Sequence, residues 1–407
     1  MYRISNFMDP TDRQREGLGE APRDPIGDFA LWRLGFRPFY LLASAFAALS
    51  VLLWALQYSG ALPFAYLRGP VWHAHEMLFG YTLAVIAGFL FTAVRNWTQR
   101  DTPTGAALAA IAALWLAGRI LVLTPFGAAA AVANAAFPLA VAVGIGIPLA
   151  RSGNRRNYFF VLLLALLACA VAVTHLVQLG LLSLPPWAGV RVGLDAVLFV
   201  IAVMAGRVVP MFTNNGIPGA NARRLPWVER AALGSVLLLG VADGAGLHGV
   251  SLALILGAGA ALHLLRWLLW QPYRTWRTPL VWVLHAGYAW VPVHLALRAL
   301  SEFQLVPAPL ATHALTIGAI GGLTIGMMTR TARGHTARPL RAGAFEIASY
   351  LLVLAAALTL VFLPLLLGGV YLASVLLSGL LWSAGFALYA VCYWPILTRP
   401  RLDGRPG

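Results

Sequence analysis

The chain has 407 residues, 60% of them hydrophobic and 11% charged, with mean hydropathy +0.78 and a formal net charge of +15. That is more apolar surface than a soluble domain of this size needs, and about 20 apolar residues in a row cross a bilayer as a helix. All 29 cationic residues are arginines lying between apolar runs, which argues against a nucleic-acid partner, and the two cysteines, Cys169 and Cys392, exclude a disulfide framework, a Cys-rich metal cluster and covalent C-x-x-C-H haem.

Residues 1–35 are polar and mixed in charge, and are expected to form a cytoplasmic N-terminal segment without a cleavable signal peptide. Twelve spans follow, near 36–58, 74–94, 105–123, 126–149, 158–181, 187–209, 230–247, 249–270, 279–300, 309–331, 345–366 and 369–396. Together they make 36–396 a single transmembrane domain, with 397–407 as a cytoplasmic tail. The arginines divide 25 to 4 between the two sides, Arg68, Arg119, Arg191 and Arg298 being the minority. The positive-inside rule then places both termini in the cytoplasm. The expected fold is an all-α polytopic membrane bundle with short loops.

The second span opens with Trp72-His73-Ala74-His75-Glu76-Met77. Histidine within a bilayer is costly and faces the bundle interior, and neutral imidazole is a common metal ligand. With this orientation His73 and His75 lie near the outer surface. His313 in span ten sits about 7 Å below the outer boundary, and His175 and His294 occupy outward halves of spans five and nine. His248 falls in an outer turn, His263 and His285 in inner halves, and His335 in an inner loop. Five of nine histidines therefore reach one level from distant parts of the sequence.

Non-covalent haem takes one or two axial histidines. His75 and His313, on separate helices at similar depth, meet a two-histidine requirement best. His73 and His75 point roughly 200° apart on a regular helix, whereas His73 shares a face with Glu76 and Met77. That triplet suits copper or another divalent ion. Alternatively Glu76 orients a histidine ligand, or His73 is an interfacial residue bonded to a loop. His175, His285, His294 and His335 are further candidates for copper or a second metal.

In span six, Asp195 is expected to pair with Arg191 one turn earlier. In span nine, His285 and Tyr288 share a face, as a second site, a proton path or a satisfied buried pair. Span ten carries Gly318, Gly322 and Gly326 at four-residue spacing, a smooth stripe that admits a neighbouring helix or a flat macrocycle. Met327 and Met328 after it are soft copper ligands or core filler. Spans two, six and ten end alike, in Thr92-Ala93-Val94-Arg95-Asn96-Trp97, Gly206-Arg207-Val208-Val209-Pro210-Met211-Phe212-Thr213-Asn214 and Thr329-Arg330-Thr331-Ala332-Arg333-Gly334-His335-Thr336. Similar endings four helices apart suggest three four-helix units. Arg207 and Arg330 could hold haem propionates or another anion, or serve as helix ends and charge anchors.

Trp72-His73-Ala74-His75-Glu76-Met77, Gly206 to Asn214, His313-Ala314-Leu315-Thr316-Ile317-Gly318 and Gly334-His335-Thr336 resemble the NnrS family. So does Ala93-Val94-Arg95-Asn96-Trp97-Thr98, where Arg95 replaces the family's usual proline. The resemblance runs from Gly35 to Leu340. It implies a bacterial inner-membrane protein of some twelve helices that carries non-covalent haem b and copper and is associated with denitrification, nitrosative stress and tolerance of nitric oxide. The layout is also similar to haem–copper oxidases and their nitric oxide reductase relatives, whose low-spin haem lies between histidines of helices two and ten. Their copper centre is not reproduced, since span ten has no His-x-His and span seven no adjacent histidines. The expected function is binding or detoxification of nitric oxide or nitrosyl-metal species within the lipid bilayer, with a redox donor as partner. The alternative is a metal-ion or small-molecule transporter whose histidines line the path.

Overall fold

The computed structural model describes residues 29–405 except 59, 62–65 and 68. Arg68 and the N-terminal segment before residue 29 lie outside the described residues. Twelve helices follow one another: α1 Phe36–Tyr58, α2 Gly69–Thr98, α3 Gly105–Leu121, α4 Gly127–Ser152, α5 Phe159–Gln178, α6 Ala188–Gly216, α7 Pro226–Gly244, α8 Gly249–Leu269, α9 Pro279–Ser301, α10 Ala308–His335, α11 Ala344–Leu366 and α12 Tyr371–Thr398. No strand occurs among the described residues. Ten helices are long and apolar enough to cross a membrane, so the chain is a multi-pass membrane protein. The other two are α3, with 17 residues, and α7, whose 19 residues include Glu229, Arg230 and Asp243.

Local chemistry sets the helix ends. Pro226 and Pro279 occupy first-turn positions, where a missing N–H costs nothing. Gly153 ends α4 in the left-handed region, the conformation that glycine adopts without a Cβ penalty. Glu346 in the first turn of α11 accepts the Gly343 N–H at 2.8 Å.

The order of packing closes into a ring. α12 lies against α1 as well as α11. The Trp382 indole donates to the Ala47 carbonyl at 3.0 Å, and the Arg37 guanidinium donates to the carbonyls of Leu397 and Arg399 at 3.0 and 2.8 Å. The start of α1 and the end of α12 therefore share one face, called here the terminal face. The pairs α12–α1, α4–α5 and α8–α9 recur at a spacing of four helices, in keeping with three four-helix units. α2, α6 and α10 meet at the centre, where with α1 and α9 they surround a cavity of about 100 Å³. Its walls are apolar, with Val85, Val200, Met204, Ile320 and Met327 prominent and Tyr40, Thr82 and Thr324 as hydroxyl-bearing members.

Two long π-helical segments interrupt the α-helical pattern. One runs Glu76–Thr82 in α2 and the other Ala314–Gly321 in α10, each starting immediately after a histidine. Such wide turns are rare, and they tend to occur at functional sites because they redirect side chains and free carbonyls. Here the Thr82 hydroxyl donates to the Met77 carbonyl five residues back at 2.8 Å, and the Gly80 carbonyl accepts the Trp115 indole at 3.0 Å.

The glycine stripe of α10 is a packing surface. A Cβ at Gly318 would lie 2.3 Å from Trp290, one at Gly322 2.9 Å from the Gly287 Cα, and one at Gly326 2.7 Å from Val283. α9 fills the stripe along its length and leaves no slot there for a macrocycle. Gly287 is the tightest partner, since its Cβ would meet the Leu323 backbone nitrogen at 2.7 Å. Gly287→Ala is expected to destabilise the protein by about 1–3 kcal/mol through overpacking. Gly257→Ala, with open space around it, should be neutral or slightly stabilising. Thermal unfolding in detergent reads both, and equal midpoints for the two variants would refute the packing argument.

Candidate functional site

At the end of the bundle opposite the terminal face, His75 of α2 and His175 of α5 stand with ring centroids 4.8 Å apart and planes inclined at 79°. Both are fully buried. The His75 Nδ1–H donates to Glu76 Oε1 at 2.7 Å. Arg119 of α3 donates to the same oxygen at 2.7 Å and also bonds the Asn134 amide oxygen of α4. Asn134 is itself anchored to the carbonyls of Gly118 and Ala130 at 3.3 and 2.8 Å. Tyr66, from the α1–α2 connection, stacks on the His175 ring with 10° between planes and lies 3.1 Å from its Nδ1. With the Tyr66 hydroxyl donating to the His175 carbonyl at 3.3 Å, its oxygen accepts the Nδ1–H. Burial pushes this phenol up to about 12, so it stays protonated at neutral pH.

In each imidazole Nδ1 is therefore occupied, while Nε2 of His75, Nε2 of His175 and Oε2 of Glu76 are buried without a partner. A buried polar atom with nothing to bond costs about 1–3 kcal/mol. Two buried imidazoles in edge contact, each with Nε2 unpartnered and each ring oriented by a partner on Nδ1, are held in the way that metal-binding histidines are held. The donor set fits a soft or borderline transition metal such as copper. Among the described residues no group of three His, Cys, Asp or Glu side chains could hold a metal ion, so a saturated zinc-type centre is not what the residues build.

Glycine makes room for this cluster. A Cβ at Gly80 would lie 2.4 Å from Arg119 Nη1 and 2.8 Å from Phe46. The π-helical turn that contains Gly80 thus lets the guanidinium lie directly against α2.

The expected pairing of His75 with His313 is not formed. α2 is still α-helical up to His75, so His73 and His75 diverge: His75 turns to α5, while His73 stacks on Trp54 of α1 at 5.3 Å and is the histidine neighbour of His313. The His313 Nδ1–H is tied to the Pro309 carbonyl at 2.7 Å. His294 is buried with Nδ1 on the Ala311 carbonyl at 2.7 Å, beside the start of α10. The triplet His73, Glu76 and Met77 is likewise not assembled, because Glu76 serves His75 and Arg119, and Met77 packs on the apolar core.

Other polar groups form closed structures. Arg266 of α8 is clamped by Glu229 of α7 through bonds of 3.1 and 2.5 Å, and it donates to the Ala202 carbonyl at 2.8 Å and the Tyr288 hydroxyl at 3.1 Å. His263 joins through Tyr288 at 2.7 Å and through the Ala232 carbonyl at 3.2 Å, so both its nitrogens are used. A Cβ at Gly206 would lie 1.8 Å from Arg266, which accounts for the glycine in Gly206-Arg207-Val208. Tyr288 thus belongs to this cluster and not with His285, which bonds the Thr213 hydroxyl at 2.8 Å and leaves Nδ1 unpartnered. Asp195 neighbours Asp243, which pairs with Arg298; Arg191 is also among its charge neighbours but makes no ion pair with it among the described residues.

Arg207 and Arg330 lie at the terminal face. Arg207 donates to Asn157 at 2.9 Å and lies over Phe159, and Arg330 lies 3.8 Å above the Phe212 ring. Seventeen residues separate Arg330 from His313, about 25 Å along a helix, so these arginines cannot reach a haem held at the histidine level. His335 is near them, packed on Phe36 and far from the other histidines in helix register. The sequence reading missed Arg119, Asn134 and Tyr66. The available signal was an arginine and an asparagine inside apolar runs on the arginine-poor side.

The Arg266–Glu229 pair gives a test of the buried framework. Glu229→Leu alone strands a guanidinium and should cost about 3–5 kcal/mol, whereas Glu229→Leu combined with Arg266→Met should recover most of that loss. Unfolding midpoints of single and double variants measure the coupling, and equal losses would show that the two charges do not depend on each other.

No curated protein and no solved structure matches this chain. A family model described as NnrS protein matches residues 30–401, nearly the whole length and including every helix described above. The chain belongs to the NnrS family.

Proposed function

We propose that the protein is a transition-metal membrane protein that binds nitric oxide or a nitrosyl-metal species at the His75–His175 centre, with copper as the bound metal. The observation that carries this reading is the pair of buried, unpartnered Nε2 atoms whose rings are fixed by Glu76 and Tyr66. Copper held by His75 and His175 would supply one-electron chemistry there. The protein's own contribution is to hold the two rings, to fix the Glu76 carboxyl against Arg119, and to surround the site with helices that exclude bulk water. Nitric oxide is uncharged and lipid-soluble, so a site inside the bundle is open to it through the bilayer. Family membership supports involvement in the response to nitric oxide. Haem stays within the proposal on the family's account, and His73 with His313 is the α2–α10 pair the fold offers it. The excess of arginine on the terminal face supports cytoplasmic termini in a bacterial inner membrane.

The transporter reading has less support. The polar clusters near the two ends of the bundle are separated by the apolar cavity at its centre, and no continuous polar track joins them.

Metal analysis of purified protein tests the assignment. His75→Ala and His175→Ala should each lose the copper equivalent and the spectral change produced by nitric oxide. His248→Ala, in an exposed turn, should keep both. Full copper occupancy in both site variants would refute the assignment.

A further inference from the structure

At the terminal face a second set of buried polar atoms lacks partners, independently of the metal reading. The hydroxyls of Tyr40 on α1, Tyr350 on α11 and Tyr389 on α12 are buried and close no hydrogen bond, Tyr40 and Tyr350 facing the hydroxyls of Thr331 and Thr329 without completing one. Tyr389 is the hub. It stacks on Tyr393 at 4.3 Å, and Tyr40, Tyr350 and Glu346 are its other ionisable neighbours. Tyr393 in turn donates to Glu346 Oε1 at 3.0 Å, and Glu346 is partly exposed and held by Arg333 at 2.9 Å. At the other end Tyr40 lines the central cavity.

Three buried phenols grouped around Tyr389 with hydrogen-bonding capacity left over are not a stable arrangement in a dry interior, because unused capacity in a buried hydroxyl costs free energy. Buried water typically makes about three hydrogen bonds to such groups. We propose that Tyr40, Tyr350 and Tyr389 enclose an internal water cluster that exchanges with solvent past Glu346 and Tyr393, forming a proton-entry route from the terminal face to the central cavity. The ligand class is water and the proton it relays. The hydroxyls suit this role because each can donate and accept at once. The Tyr288 hydroxyl offers an internal contrast, since it is equally buried but already bonded to His263 and Arg266.

Pulsed hydroxyl-radical footprinting of the full chain in detergent, with ¹⁸O-labelled water mixed in just before the pulse, tests this directly. Radicals formed from bound water oxidise the side chains beside it. The expected result is labelling of Tyr389 and Tyr350 several-fold faster than of Tyr288, with ¹⁸O incorporated. Labelling no faster than that of Tyr288 would overturn the water cluster. Fast labelling that stays at ¹⁶O would overturn the solvent route, because the water would then be sealed in.

Discussion

Taking a guanidinium and a carboxylate out of water costs several kcal/mol per ion, and their attraction recovers this only when the remaining donors and acceptors are also met. Arg119 and Glu76 meet that constraint through their shared contacts while Arg119 Nε and Glu76 Oε2 stay without a protein partner, and the functional end of the molecule is built around the pair. Arg119 spends its donors on Glu76 and Asn134, and Asn134 is tied to two backbone carbonyls. Glu76 spends one oxygen on Arg119 and on His75 together. His75 is thereby held against His175 with its Nε2 left without a protein partner. The guanidinium fits because Gly80 has no side chain and the wide helical turn frees a carbonyl for Trp115.

The same device appears at a second place in the chain with a different outcome. Arg266 lies against Gly206 as Arg119 lies against Gly80, and Glu229 clamps it as Glu76 clamps Arg119. In that cluster, however, the histidine has both nitrogens satisfied. One glycine–arginine–carboxylate unit therefore locks three helices together, and the other stands beside imidazole nitrogens that have no protein partner. The distinction lies in what the neighbouring helices bring: Tyr288 and a carbonyl in one case, a second histidine in the other.

Much of the architecture was legible in the residues. Long apolar runs broken by arginine-bearing turns located all twelve helices, because hydrophobic length is nearly sufficient to specify a spanning helix. The common depth of His73, His75, His175, His294 and His313 was legible for the same reason, since depth is a count along a helix of known rise. Which of them meet was not. Pairing depends on rotation about each helix axis and on the order of helices around the ring, and both are tertiary properties. Depth alone matches His75 with His313, whereas its ring packs against that of His175. The π-helical turns after His75 and His313 carry no local pattern that separates them from α-helix, so the route by which Gly80 accommodates Arg119 could not be foreseen. Asp195 has Arg191 as a charge neighbour, as its position one turn away implies, but the Asp243–Arg298 pair beside it could not be read from its own helix.

The central claim is that His75 and His175 bind one copper ion between them. X-ray absorption at the copper edge of the purified, copper-loaded protein examines it most directly. The account predicts a nitrogen shell with the outer-shell scattering of imidazole, lost when either histidine is replaced by alanine. A shell dominated by sulfur from the methionines of the central cavity, or an imidazole signal unchanged in both variants, would contradict it.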